Sequence, residues 1–119
     1  MQLKNIRHHT IVITSHDKPR LEILRKKIVA LYAEKMEAKK GAQLISPLVD
    51  SLINNFSTFF IVPDGSKEGY DASDDGDRIR QMVIELINAD IAVDGSNEIR
   101  YAELFYGDDL NESKILNHN

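Results

Sequence analysis

The sequence predicts an α+β domain, and three observations carry that prediction. Two short runs, HHTIVITS at 8–15 and FSTFFIV at 56–62, are dense in β-branched and aromatic residues. Two longer segments repeat their apolar residues every three or four positions, the spacing of an amphipathic helix. The two patterns alternate along the chain, as they do where helices cover a sheet. At 119 residues the chain suits a single hydrophobic core, and 42% hydrophobic with 29% charged residues excludes a wholly disordered polymer.

The first strand covers 8–15, with Ile11 and Ile13 alternating against Thr10, Val12 and Thr14. Asp17 is a natural helix cap, Pro19 fits the first turn, and Leu21, Leu24, Ile28 and Leu31 set a long helix over about 18–39. Gly41 follows as a left-handed closing residue. AQLISPLV at 42–49 is an edge strand or an irregular connection, because Pro47 cannot donate to a ladder. The strand at 56–62 stops at Pro63-Asp64-Gly65, and the polar run Asp64–Asp77 reads as a loop. Ser73 or Asp74 would cap a second helix over about 74–89, carried by Ile79, Met82, Val83, Leu86 and Ile87. Asp94-Gly95-Ser96-Asn97 turns the chain into a last strand, EIRYAELFY at 98–106. One domain over 1–109 and a polar tail over 110–119 follow. The order strand, helix, strand, strand, helix, strand is that of a ferredoxin-like βαββαβ sandwich, an antiparallel sheet with two helices on one face.

Charge divides the chain unevenly. Residues 1–40 hold ten Lys/Arg against four Asp/Glu, and the remainder holds five against fifteen, within a net charge of -4. Antiparallel helices would bring the basic end of the first (Lys35, Lys39, Lys40) towards the acidic start of the second (Asp74, Asp75, Asp77), so the division is expected to be compensated internally. That leaves little basic surface for nucleic acid, and no nucleic-acid partner is expected. Absence of cysteine excludes disulfides, thiolate metal sites and Cys nucleophiles. No stretch is long and apolar enough to span a membrane and no signal-peptide core opens the chain, which predicts a cytoplasmic protein.

Four features could carry function. His8 and His9 are adjacent on a strand, so they point to opposite faces and cannot jointly chelate one ion. Asp71-Ala72-Ser73-Asp74-Asp75-Gly76-Asp77 begins like a calcium loop, but its twelfth position is Met82 where a bidentate Glu is required; a capped, solvated turn is the simpler reading, hard-cation binding by Asp71, Asp75 and Asp77 the alternative, and no metal or cofactor is predicted. Gly65 and Gly69 flank Ser66, Lys67 and Glu68 in PDGSKEG, which with Asp77, Arg78 and His9 forms a candidate ligand site for a phosphate. Finally, if Ile11, Ile13, Phe59, Ile61, Ala102 and Leu104 face the helices, the open sheet face presents Phe56, Phe60, Tyr101 and Phe105 beside Val12. A surface that apolar predicts a protein interface, either with a partner or between two copies as a homodimer, whereas the opposite assignment of faces would make these residues core.

The blocks HHTIVITS, FFIVPDGSKEGYDASDDGDRIR and DGSNEIRYAELFYGDD resemble, in this order, a group of small uncharacterised phage and prophage proteins. The resemblance spans roughly residues 8–109 and is most specific in PDGSKEG, the Ser-Asp-x-Gly-Asp segment at 73–77, and Tyr-Gly-Asp-Asp at 106–109. It implies a phage-type origin and no particular chemistry. The expected function is therefore a non-catalytic accessory factor that binds a host or phage protein. Its alternative is a small phosphate- or nucleotide-binding protein or hydrolase using the 64–78 loop.

Overall fold

The computed structural model describes residues 7–35, 41–65, 71–90, 97–107 and 113–119. They form an α+β fold: strand β1 (Arg7–Ser15), helix α1 (Lys18–Lys35), strands β2 (Val49–Asp50) and β3 (Ser57–Ile61), helix α2 (Asp71–Ala89), and strands β4 (Arg100–Gly107) and β5 (Lys114–His118). The strands make one antiparallel sheet in the order β2-β3-β1-β4-β5. Among the described residues no helix is long and apolar enough to cross a membrane.

Each helix is set by local chemistry and then held by burial. Asp17 caps α1: its Oδ1 accepts from the Arg20 amide at 3.2 Å, while the Asp17 carbonyl accepts from the Leu21 amide at 3.0 Å. Leu21, Leu24, Ile28 and Tyr32 then fall on one stripe and are buried. The matching stripe of α2 is Ile79, Val83 and Ile87, joined by Ile84. Both pack on Ile11 and Ile13 of β1 and on Phe59 and Ile61 of β3, in one continuous core.

Helix α2 starts earlier than the sequence predicts. Ser73 and Asp74 lie inside its first turn, so the expected cap is not one, and Asp71–Asp77 is helix where a calcium loop would have to wrap. The reason is the i,i+3 pairing of Asp75 with Arg78 and of Asp77 with Arg80, which supports a helical backbone through a run that its polarity alone assigns to a loop. At the far end, the Asn97 amide donates to the Ile87 carbonyl at 2.7 Å and its Oδ1 accepts from the Ile99 amide at 2.9 Å, steering the chain into β4.

Gly41 also has a different role from the expected left-handed cap. Among the described residues the positive-φ positions are Asn54, Asn55 and Gly65, and Gly41 is not one of them. What it provides is close approach: a Cβ there would stand 2.8 Å from the Tyr32 carbonyl oxygen. Lys39 and Lys40, and the turn at Asp94-Gly95-Ser96, lie outside the described residues.

The largest departure is at the C-terminus. Residues 114–118, expected to belong to a polar tail, form β5 on the free side of β4, with a bulge opposite Glu103/Leu104. Two asparagines pin it. Asn117 Nδ2 donates to Glu103 Oε1 at 2.7 Å, and the Asn119 side chain closes on the backbone of β4, accepting from the Tyr101 amide at 2.9 Å and donating to the Ile99 carbonyl at 2.8 Å. A five-residue segment with two adjacent apolar residues, Ile115 and Leu116, carries almost no periodicity signal, and the bulge removes what alternation it has. Asn119→Ala is expected to lower stability by about 1–2 kcal/mol, since the Tyr101 amide of β4 and the Ile99 carbonyl just before it lose a partner; a urea titration showing an unchanged midpoint would show that β5 does not depend on this clasp.

Candidate functional site

The register of the sheet decides which residues reach which face. Directly opposed residues of antiparallel strands share a face, and Ile13 opposes Tyr101 while Ile11 opposes Glu103. Tyr101 and Glu103 are accordingly buried on the helix side, 7% and 6% exposed, and Phe105 follows them there against His9. This corrects the expected face assignment of the last strand: Tyr101 and Phe105 are not open-face residues, and Ala102 and Leu104 are. Each alternating set of β4 is apolar apart from one charged residue, Arg100 in one and Glu103 in the other. Alternation in the sequence therefore does not decide which set is buried, and Glu103 is the charge that goes inside.

The open face carries Val12 between Phe60 on β3 and Ala102 on β4, followed by Leu104 and Tyr106. Phe60 and Tyr106 are about two-fifths exposed, and Ile115, beside Leu104, is 62% exposed. The His8 ring packs against Tyr106 with centroids 5.0 Å apart, and His9 against Phe105 on the other side, so the adjacent histidines diverge as the strand geometry predicts. Threonines are tied down at two places: the Thr14 and Thr58 hydroxyls lie 2.9 Å apart, and the Thr10 hydroxyl donates to the Ile61 carbonyl. A shallow depression of about 240 Å³ opens here, lined by Val12, Thr14, Arg100, Tyr101 and Ala102. Phe56 stands at the end of the same face, edge-on to His16.

Beneath the sheet, on the helix side, lies a polar cluster that the sequence reading missed. Arg80 projects from α2 into the core and is 6% exposed. Its guanidinium pairs with Asp77, and its Nε lies 3.8 Å from Glu103 Oε2 with no hydrogen-bond partner. Asp64 enters from the end of β3: a Cβ at Gly76 would stand 2.8 Å from Asp64 Oδ2 and 3.1 Å from Arg80 Nη1, so glycine is what lets these groups meet over the helix. Tyr32 of α1 lies in the same field. Burial pushes its phenol up to about 12, the Arg80 charge opposes that rise, and Asp64 and Glu103 add to it. Three carboxylates around one guanidinium do not make an anion site, and among the described residues no group of three or more His, Asp or Glu is placed to hold a metal.

At the α1 N-terminus, a depression of about 410 Å³ is lined by His16, Lys18, Asp50, Phe56 and Ser57, among others. Its polar groups satisfy one another. The Ser57 hydroxyl donates to Asp50 Oδ1 at 2.7 Å and Lys18 Nζ to Oδ2 at 3.0 Å, which together hold the Asp50 carboxyl below its ordinary range.

Of the predicted ligand-site residues, the three that are described, His9, Asp77 and Arg78, each have separate partners. Arg78 is exposed and paired with Asp75, beside Lys35 and Met82; Asp77 belongs to Arg80; His9 lies beneath the sheet against Phe105. Ser66, Lys67 and Glu68 lie outside the described residues. No family model, curated protein or solved structure matches this chain.

Two outcomes follow from the cluster. Arg80→Met is expected to cost about 3–5 kcal/mol by leaving Glu103 buried without its cation, and Arg80→Met/Glu103→Leu should recover most of it; urea midpoints compare the two, and equal losses would exclude coupling. Tyr32 sets the alkaline limb. Its folded value of about 12 lies above the unfolded value of 10.0, so its contribution is complete below pH 10 and is lost as pH rises towards 12. In Tyr32→Phe that limb should flatten, which chemical denaturation at a series of pH values would reveal.

Proposed function

We propose that this chain is a small, non-catalytic, phage-type accessory factor that binds a host or phage protein through the open face of a ferredoxin-like sheet. The strand order β2-β3-β1-β4 supports that architecture, being the order of a βαββαβ sandwich, with β5 added on the β4 side. One observation carries the function: both helices lie on one side of the sheet, and the other side leaves Phe60, Tyr106 and Ile115 in water.

The sheet edges fit this reading. β2 is two residues long and follows Pro47, and β5 is bulged and opens with Lys114. Short strands, proline, bulges and lysine all discourage pairing with another chain, so the fold blunts its edges while leaving its face open. A partner is thus expected to stack on the face and not to extend the sheet.

Affinity capture from a host lysate, run with the wild-type chain, Phe60→Glu and Ile23→Glu, tests the reading. Ile23 is 56% exposed on α1, away from the open face, and serves as the control. Proteins retained by wild type and Ile23→Glu should fall at least tenfold with Phe60→Glu. Capture that ignores Phe60→Glu, or is lost equally with Ile23→Glu, would refute it.

A further inference from the structure

From the charges of the open face we infer that its partner is an acidic polypeptide segment, aliphatic or aromatic side chains flanked by Asp or Glu, with Arg100 as the group that reads the acid. This rests on the protein-binding reading above and names the chemistry of its partner.

The chain is net acidic, yet the paired strand positions on this face include no carboxylate among the described residues. Where the sheet does carry acids, at Asp50 and Glu103, they are turned to the helix side and engaged by Ser57, Lys18, Asn117 and Arg80. The charged side chain left on the open face is Arg100. It is exposed, makes no ion pair among the described residues, and lines the same depression as Val12 and Ala102. Other arginines are engaged: Arg20 by Asp90 at 2.6 Å, Arg25 by the Ser46 carbonyl at 2.8 Å, Arg78 by Asp75 and Arg80 by Asp77.

An apolar partner that covered Phe60, Val12 and Leu104 would also take Arg100 out of water. Burying a guanidinium without a counter-charge is strongly unfavourable, whereas a carboxylate can meet it through two parallel hydrogen bonds. The occupant must therefore bring the acid, because the paired strand positions of the face supply none among the described residues and Glu98, just before β4, is engaged by His16 at 3.6 Å. That requirement disfavours a second copy stacked face to face, which would set Arg100 against another acid-free surface. It also disfavours a nucleic-acid strand, whose backbone needs several cations where this face offers one fixed charge.

The test is selection of a random-peptide display library on the wild-type chain, counter-selected on Phe60→Glu, followed by fluorescence anisotropy of the enriched peptides. Enriched peptides should pair Asp or Glu with Leu, Ile or Phe. Arg100→Glu should weaken them at least tenfold, and replacing their acids by Lys should restore binding to Arg100→Glu. Circular dichroism confirms that both variants fold. Enriched peptides that need Phe60 but lack acids, or that ignore Arg100→Glu, would overturn the acidic partner and leave the face intact as a docking surface. Absence of any Phe60-dependent peptide would overturn both. Stronger binding of a single-stranded RNA oligonucleotide in the same assay would replace the peptide by nucleic acid, and a concentration-dependent dimer lost in Phe60→Glu would replace it by a second copy.

Discussion

Strand β1 is hydrogen-bonded on both sides, to β3 and to β4, and the arrangement of the whole molecule depends on which way its side chains alternate. Ile11 and Ile13 are fully buried against both helices, so Val12 and Thr14 must face the other way. Pairing then transmits this choice across the sheet: Ile61 and Phe59 are committed by their opposition to Ile11 and Ile13, and Tyr101 and Glu103 likewise. A slip of one residue in any strand would move its entire apolar set to the wrong side, which is why register is so strongly determined in a sheet covered on one face.

Compensation between the basic and acidic parts of the chain is real but differently placed from what charge arithmetic suggests. The helices run antiparallel, and the cross-helix ion pair among the described residues is at the start of α1, where Arg20 meets Asp90 just beyond the end of α2. At the opposite end, Lys35 shares a depression with Asp75, but Asp75 and Asp77 are taken by arginines of their own helix. Among the described residues, Asp75 and Asp77 at the start of α2 are thus paired from within the helix, by arginines three residues on. That local pairing also extends the helix backward into a segment whose polarity reads as loop.

How much of this was legible in the sequence depends on whether burial and hydrophobicity agree. β1, β3 and the apolar stripes of both helices could be read because the buried residues there are Ile, Leu, Val and Phe. Asp17 and Pro19 were readable as a helix start, since capping is a local matter of spacing and side-chain oxygen. Three features were not. Glu103 and Arg80 are buried because each offsets the other's desolvation, a relation between residues far apart in the chain. β5 depends on Asn117 and Asn119 reaching β4, which no periodicity encodes. The face of β4 was reversed because its one charged interior residue looked like a surface residue. A signal existed for Arg80: it follows Ile79 and is one turn before Val83 and Ile84, within the apolar stripe of α2.

The buried cluster and the open face are connected through β4, whose residues alternate between them. Glu103 is held from below by Arg80 and from the side by Asn117, and the backbone at Ile99 and Tyr101 is clasped by Asn119. Arg100 and Ala102, the intervening residues, are thereby presented by a strand paired to β1 on one side and anchored to β5 on the other. A binding surface built on such a strand has little backbone freedom left to lose when a partner arrives, so more of the contact energy remains as affinity. The buried ions thus need no chemistry of their own to matter for function: their role is to keep one strand rigid, so that its outward residues meet a partner in a fixed arrangement.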